Sequence, residues 1–299
     1  MKKVTYREKQ EARTAYLYLL PNFLGFLVFT AAPVGMGLLI SFTDYSGFGF
    51  PNITGFENYR KLFRDSQFLA ALGNNLFYSL TCVPLTVFAG LGLALLLNQG
   101  LPGRGLFKTL CFFPNLTSMV AVGCVAMLLF DPVKGPINSF FISLGIPAEA
   151  LPSWFFSSKQ ALFTVVIVVV WKQAGYYMIM FLAGLQNIPK HLYEAALIDG
   201  ANTWRCFCHV TWPMLSPTTF MVTIFCIIGS FQVFDIINVT TQGGPGRATT
   251  VLVFRIYREA FRNWKMGYGS AIAYFLFAVI LGVTLIQWQG QKKWVNDDN

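Results

Sequence analysis

Six stretches of this chain are long and apolar enough to cross a bilayer, and nothing else in the sequence restricts its folding so strongly. A span takes about 20 mostly apolar residues. Ala15–Phe42, Leu76–Leu97, Leu110–Phe130, Ala161–Leu185, Thr218–Ile237 and Ala271–Trp288 meet that requirement. In hydrocarbon no water satisfies backbone N–H and C=O groups, so such stretches become helices. The spacing predicts an all-α, polytopic membrane protein with six transmembrane helices. Pro21 and Pro33 should tilt or kink the first of them. Composition agrees, since 55% of the 299 residues are hydrophobic and 12% are charged, against about 25% charged in a soluble domain.

The formal net charge of +9 points away from nucleic acid in such a chain. Basic residues flank spans and face anionic lipid headgroups. The partner they indicate is membrane lipid, with no nucleic acid. Cys82, Cys111, Cys124, Cys206, Cys208 and Cys226 lie mostly inside apolar runs and read as small buried hydrophobes. Cys206-x-Cys208 has no second pair at metal-ligand spacing, so no metal site is expected. The run after the basic N-terminus is too long for a signal-peptide core and lacks a clear cleavage site, so it reads as a span that stays.

Lys2, Lys3, Arg7, Lys9 and Arg13 argue for a cytoplasmic N-terminus. The remaining basic residues divide almost evenly between the two sides. The expected layout is a cytoplasmic tail over 1–14, a first helix and outer amphipathic segment over 15–75, a transmembrane core over 76–290 and a cytoplasmic tail over 291–299. Two outer segments carry amphipathic spacing: Tyr59, Leu62, Phe63 and Phe68 in one, and Phe254, Tyr257 and Phe261 in the other. Each either caps a cavity or lies on headgroups.

The segment 187–213 is polar and broken by a glycine, yet it sits between two apolar runs. Asn187 as N-cap and Pro189 in the first turn predict a helix start, and Gly200 suits the left-handed position after its end. Asn202 or Thr203 caps a second helix, about Trp204–Trp212, which Pro213 and Pro217 hand to the fifth span. His191 and His209 lie in the same loop, as pH-sensing groups or as plain surface histidines.

Glu194-Ala195-Ala196, three residues, Gly200, nine residues, then Val210-Thr211-Trp212-Pro213 resembles the EAA signature of permeases in binding-protein-dependent ABC importers. Val210 and Trp212 stand where the family pattern has Ile and Leu, and both remain apolar. "LLPNFLGFLVFTAAPVGMGLLISFTDY", "GFENYRKLF", "LAGLQNIPKHLYEAALIDGA" and "TTQGGPGRATT" are similar to the larger, maltose-type sugar permease. The resemblance implies a MetI-like ABC type I importer permease fold with both termini cytoplasmic, in the bacterial inner or plasma membrane. It implies four kinds of partner: a second homologous permease, an ABC ATPase dimer, an extracytoplasmic solute-binding protein and a sugar substrate. Tyr193, Glu194, Ala195, Ala196, Asp199, Gly200 and Pro213 would couple this chain to the ATPase. No G-x-x-x-x-G-K-[ST] loop is present in the sequence. ATP and Mg would therefore sit on the partner, with no cofactor and no catalytic residue expected on this chain.

Inside the fourth span stands Lys172, a residue that costs roughly 3 kcal/mol or more at bilayer depth unless it finds a partner or a wet cavity. Gln173 and Tyr176 can share its helix face. Laid against maltose-type permeases, Lys172, Gln173, Tyr176, Gly229, Ser230 and Val233 match ligand-facing positions. Phe231, Gln232 and Asp235 lie close by on the fifth span. Lys172 would touch substrate, or pair with Asp235 or with an acid of a partner chain. The resemblance implies carbohydrate import, with glycerol-phosphate or an acidic, uronate-type oligosaccharide as the alternative. A secondary transporter would leave the EAA loop unexplained. A membrane enzyme would need a clustered His or carboxylate set that two histidines do not supply.

Overall fold

The computed structural model describes residues 6–99 and 102–294, and most of them are helical. The first span joins α1 (Tyr6–Phe26) to α2 (Ala32–Ser41) through a π-helical turn, Leu27–Ala31. Pro33, just inside α2, accounts for that turn: it has no N–H to donate, and the wider turn relieves the clash with the preceding carbonyl. α3 (Glu57–Leu62) precedes the 33-residue α4 (Ser66–Asn98). Then come α5 (Arg104–Leu116), α6 (Met119–Leu129), α7 (Pro136–Ser143) and α8 (Ala161–Gln186). The polar segment holds α9 (Lys190–Ile198), α10 (Thr203–Cys206) and α11 (Trp212–Met214), the last two joined by a π-helical turn, Phe207–Thr211. α12 (Ser216–Phe231), α13 (Asp235–Thr240), α14 (Leu252–Tyr257) and α15 (Met266–Trp294) complete the order.

Among the described residues, five stretches are long and apolar enough to span a membrane unaided: Thr14–Ser41, Ser66–Asn98, Ala161–Gln186, Ser216–Thr240 and Met266–Gly290. The third expected span needs a correction. Leu110–Phe130 is no straight helix, because α5 and α6 meet at an angle of 98°. Six spans result when this bent pair is taken as one.

The chain divides into two compact units, one formed by the residues up to Leu62 with Tyr257–Tyr274, the other by Phe63–Ile256 with the residues from Phe275 on. In the first unit the apolar side chains of the first span face outward almost everywhere. Its end is fastened instead: Asn58 Nδ2 donates to the carbonyls of Ser41 (2.9 Å) and Thr43 (2.8 Å), and Tyr59 Oη bonds Ser41 Oγ at 2.8 Å. Tyr274 Oη bonds the Val34 carbonyl.

In the second unit α4, α8 and α12 interlock. Tyr78, Val165, Val166, Ile236 and Phe254 fill one end of the core, and Leu91, Met178, Phe181 and Leu215 fill the other. The first outer segment is not a single amphipathic helix, whereas the second is helical without a break over 252–262. Asp65 ends the first, capping α4 by accepting from Gln67 N at 2.8 Å, so Phe68 already belongs to the second span and is fully buried. The second segment carries buried Phe254 and Arg255. Arg255 pairs with Asp65 at 3.0 Å and bonds Gln67 Oε1, which pins α14 to the start of α4.

Candidate functional site

Lys172 and most of the other polar residues expected along the substrate path fall at two places. At the first, Gln173 on α8 and Gly229 and Ser230 on α12 line a nook of about 10 Å³ together with Tyr78, Cys82 and Thr86 of α4. That volume is near the lower limit for one water. Ser230 is buried, and its Oγ is hydrogen-bonded to Ser79 Oγ at 2.8 Å. Asn75 Nδ2 reaches the Ser230 carbonyl at 3.5 Å, while Asn75 Oδ1 accepts from Leu252 N at 3.2 Å. These groups lie where the fifth span stops at Phe231 and restarts at Asp235. There the last carbonyls of α12 have lost their intrahelical partners.

The α4 residues were not among the sequence candidates. Asn75, Ser79, Cys82 and Thr86 recur every three or four residues in an otherwise apolar helix, so they form a polar stripe on one face. All four are buried. That spacing was a readable signal.

The second place is the bend of the third span, where Lys172 points. Its Nζ donates to the Asn115 carbonyl at 3.2 Å, and the side chain is 7% exposed. Among the described residues no ion pair joins it to Asp235, which is exposed at the first turn of α13. An apolar groove of about 560 Å³ flanks the same bend, lined by Pro114, Thr117, Val125, Val168 and Trp171 among others. Neither cavity has Lys172 in its lining. Tyr176 is 40% exposed, its ring edge-on to Tyr177. Phe231 and Val233 are buried in the core, and Gln232 is exposed.

The polar loop folds as two short helices with a built hinge. Asn187 ends α8 as its C-cap, and Pro189 takes the N-cap of α9, so the expected start moves by two residues. The shift follows from buried Ile188, whose amide still bonds the Leu185 carbonyl. At the other end Gly200 has φ +77. Its amide bonds the Leu197 carbonyl at 3.1 Å and the Ala201 amide bonds the Ala196 carbonyl at 2.9 Å, which is a Schellman closure. Asn202 Oδ1 then accepts from Arg205 N at 2.8 Å and starts the second helix. Tyr193 Oη and Thr211 Oγ1, 3.0 Å apart, tie the two helices together. Glu194, Ala195, Asp199 and Gly200 are exposed, while Tyr193, Ala196 and Pro213 are half-buried. Leu197, Ile198 and Trp204 are 64%, 86% and 70% exposed. Among the described residues, no three His, Cys, Asp or Glu side chains converge as a metal site would require.

Residues 83–291 match the family described as "Binding-protein-dependent transport system inner membrane component". The chain belongs to that family. It is 37% identical over 274 residues to the arabinooligosaccharides transport system permease protein AraP of Bacillus subtilis, covering 91% of this chain and 86% of the relative. It is 34% identical over 278 residues to the sn-glycerol-3-phosphate transport system permease protein UgpA of Yersinia pestis, covering 92% of each. A chain of a bacterial alginate ABC transporter, solved with an alginate pentasaccharide-bound periplasmic protein, matches with a TM-score of 0.86 at 23% identity over 98% of this chain and 99% of its own. The last likeness carries the fold. This binding-protein-dependent permease is thus a multi-pass membrane transport subunit and not an enzyme.

Proposed function

We propose that this permease forms one half of the translocation path of an ATP-driven carbohydrate importer. A second, homologous permease supplies the other half. A separate ATPase pair drives it through the loop 187–213, and an extracytoplasmic binding protein delivers the sugar. Both termini then lie in the cytoplasm and the chain sits in the bacterial inner membrane.

The hinge at Gly200 carries this reading. Glu194 and Ala195 on α9 and Asp199 at its C-cap face solvent beside a Schellman-closed turn, between two short helices that connect the end of the fourth span to the start of the fifth. Glu194 offers a charge-assisted contact to a cleft on the ATPase, and Ala195 lets backbones approach closely. Gln173, Gly229 and Ser230 at the nook, and exposed Tyr176 about one turn beyond Gln173 on α8, offer the amide, hydroxyl and aromatic groups that a sugar requires. The arabinooligosaccharide relative supports a neutral sugar, and the glycerol-phosphate relative supports a phosphorylated one as the second reading.

Co-purification of the ATPase with Glu194→Arg and Gly200→Pro variants tests the coupling. Both should lose the ATPase by at least about tenfold, a cost of about 1.4 kcal/mol. Glu194→Arg should do so at an unchanged melting temperature, whereas Gly200→Pro should also lower it, because proline cannot adopt φ +77 and lacks the amide that bonds Leu197. Retention of the ATPase by both variants would overturn the proposal.

A further inference from the structure

The bend in the third span is built as carefully as the hinge outside, and Lys172 completes it. α5 ends at Leu116, so its last carbonyls have no amide one turn ahead. In a span such groups find no water. Two of them are satisfied locally or from afar. The Pro114 carbonyl accepts from Thr117 Oγ1 at 2.7 Å and from Thr117 N at 3.4 Å, and the Asn115 carbonyl accepts from Lys172 Nζ at 3.2 Å. On the far side of the bend Ser118 Oγ accepts from Val120 N at 3.3 Å and starts α6.

Lys172 can reach this point because α5 lies directly on α8. A Cβ added at Gly175 would stand 1.9 Å from the Cys111 carbonyl oxygen and 3.0 Å from the Phe112 Cα. Gly175 meets residues 111 and 112, and Lys172, one turn earlier, meets residue 115. The two helices therefore run antiparallel here, with the lysine at the carbonyl end of α5, where a cation is favoured by the helix dipole. Beyond the bend, Val122 and Ala126 of α6 share a core with Ile236 and Ile237 of α13. The bend thus links the helix that leads into the coupling loop with the second half of the fifth span.

We infer that Lys172 is a positioning residue: its ammonium clasps the C-terminus of α5 and holds the bend of the third span, and its charge is spent on that carbonyl and not on substrate. The effect on transport rests on the proposed importer function, whereas the clasp itself does not.

The test uses the full chain in nanodiscs with its partner subunits and native cysteines replaced. Spin labels at Leu106→Cys and Leu128→Cys, both exposed positions on α5 and α6, report the distance across the bend. The unsubstituted lysine and Lys172→Arg should each give one narrow distance population. Lys172→Met should broaden it or add a second population, and Lys172→Gln, too short to keep the contact, should do the same if the Met variant fails to accumulate. A narrow, unshifted distribution in the neutral variants overturns the clasp. This readout needs neither substrate nor nucleotide, so it stands apart from the transport reading. In turnover, Lys172→Met should lower the maximal rate about tenfold for an arabinooligosaccharide and for sn-glycerol-3-phosphate, whichever the assembly accepts, with KM unchanged. A rise in KM confined to the phosphate probe, with the distance unchanged, would assign the charge to substrate instead.

Discussion

The bend between α5 and α6 and the hinge at Gly200 both interrupt a helix, and they are solved by opposite means. At the bend every exposed backbone group described above is answered by protein: Thr117, Ser118 and Lys172 each take one. At the hinge the backbone closes on itself, and the side chains of Glu194, Asp199, Ile198 and Trp204 are left outside. The difference follows from the solvent. A span offers no water to an orphaned carbonyl, whereas a loop does. The bend draws these answering groups from within the chain, and the hinge leaves its side chains free for the proposed ATPase contact.

The strongest way to break this contrast is a methyl group at each glycine. At Gly175 it would collide with the backbone of Cys111, which cannot move aside as a side chain could. Overpacking of this kind costs roughly 1–3 kcal/mol and sometimes more, and Gly175→Leu should abolish the folded yield. At Gly200 nothing lies within 4 Å of the added carbon, so only φ +77 opposes it, at about 1–2 kcal/mol. Thermal unfolding in detergent should rank Gly175→Ala well below Gly200→Ala. Equal melting temperatures would show that α5 can slide off α8, and the contrast would fail.

The two interruptions were also unequally legible in the sequence. The hinge is local: Gly200, Asn202 and Pro213 declare their backbone roles by residue type. Its start lies two residues later than the Asn-x-Pro signal suggests, because Asn187 caps α8 and the buried Ile188 still bonds back to Leu185. The bend is not local. Hydropathy runs unbroken from Leu110 to Phe130, and Pro114 with Thr117-Ser118 is easily averaged away. Lys172 stood out as an anomaly, but its partner lies 57 residues distant, and no periodicity reports a contact across that separation. The same limit hid Asn75, whose stripe was visible while the helix receiving it was not.

Asn75 gives the next test, since it serves the fifth-span interruption as Lys172 serves the third. Asn75→Ala would leave the Ser230 carbonyl and the Leu252 amide without this partner. Unsatisfied groups cost about 1–3 kcal/mol, although hydrogen bonds within membrane proteins average only about 0.6 kcal/mol. A loss of about 1–2 kcal/mol in reversible unfolding is expected. Asn74→Ala, which removes donors to the Arg247 and Thr250 carbonyls near the surface, should cost less because water can replace them. If Asn74→Ala proves the more damaging, burial does not set the scale of these interruptions.

The smallest effect belongs to the loop. Tyr193 Oη and Thr211 Oγ1 form the side-chain bond that joins its two helices, and Tyr193 is only half-buried. Tyr193→Phe keeps the ring, which packs beside the core of Leu185, Ile188 and Leu215. It loses a neutral hydrogen bond worth about 0.5–1.5 kcal/mol, part of which water restores. A double-mutant cycle with Thr211→Val isolates the pair, and its coupling energy should fall at or below about 1 kcal/mol. Thr211 is itself buried, with a second contact to the Cys206 carbonyl at 3.5 Å, so Thr211→Val alone should cost more than Tyr193→Phe alone. A coupling energy larger than the Asn75→Ala loss would mean that the loop is held as tightly as the spans. The hinge would then be a rigid strut from its own bonds, and an ATPase pressing on it would move both helices as one body.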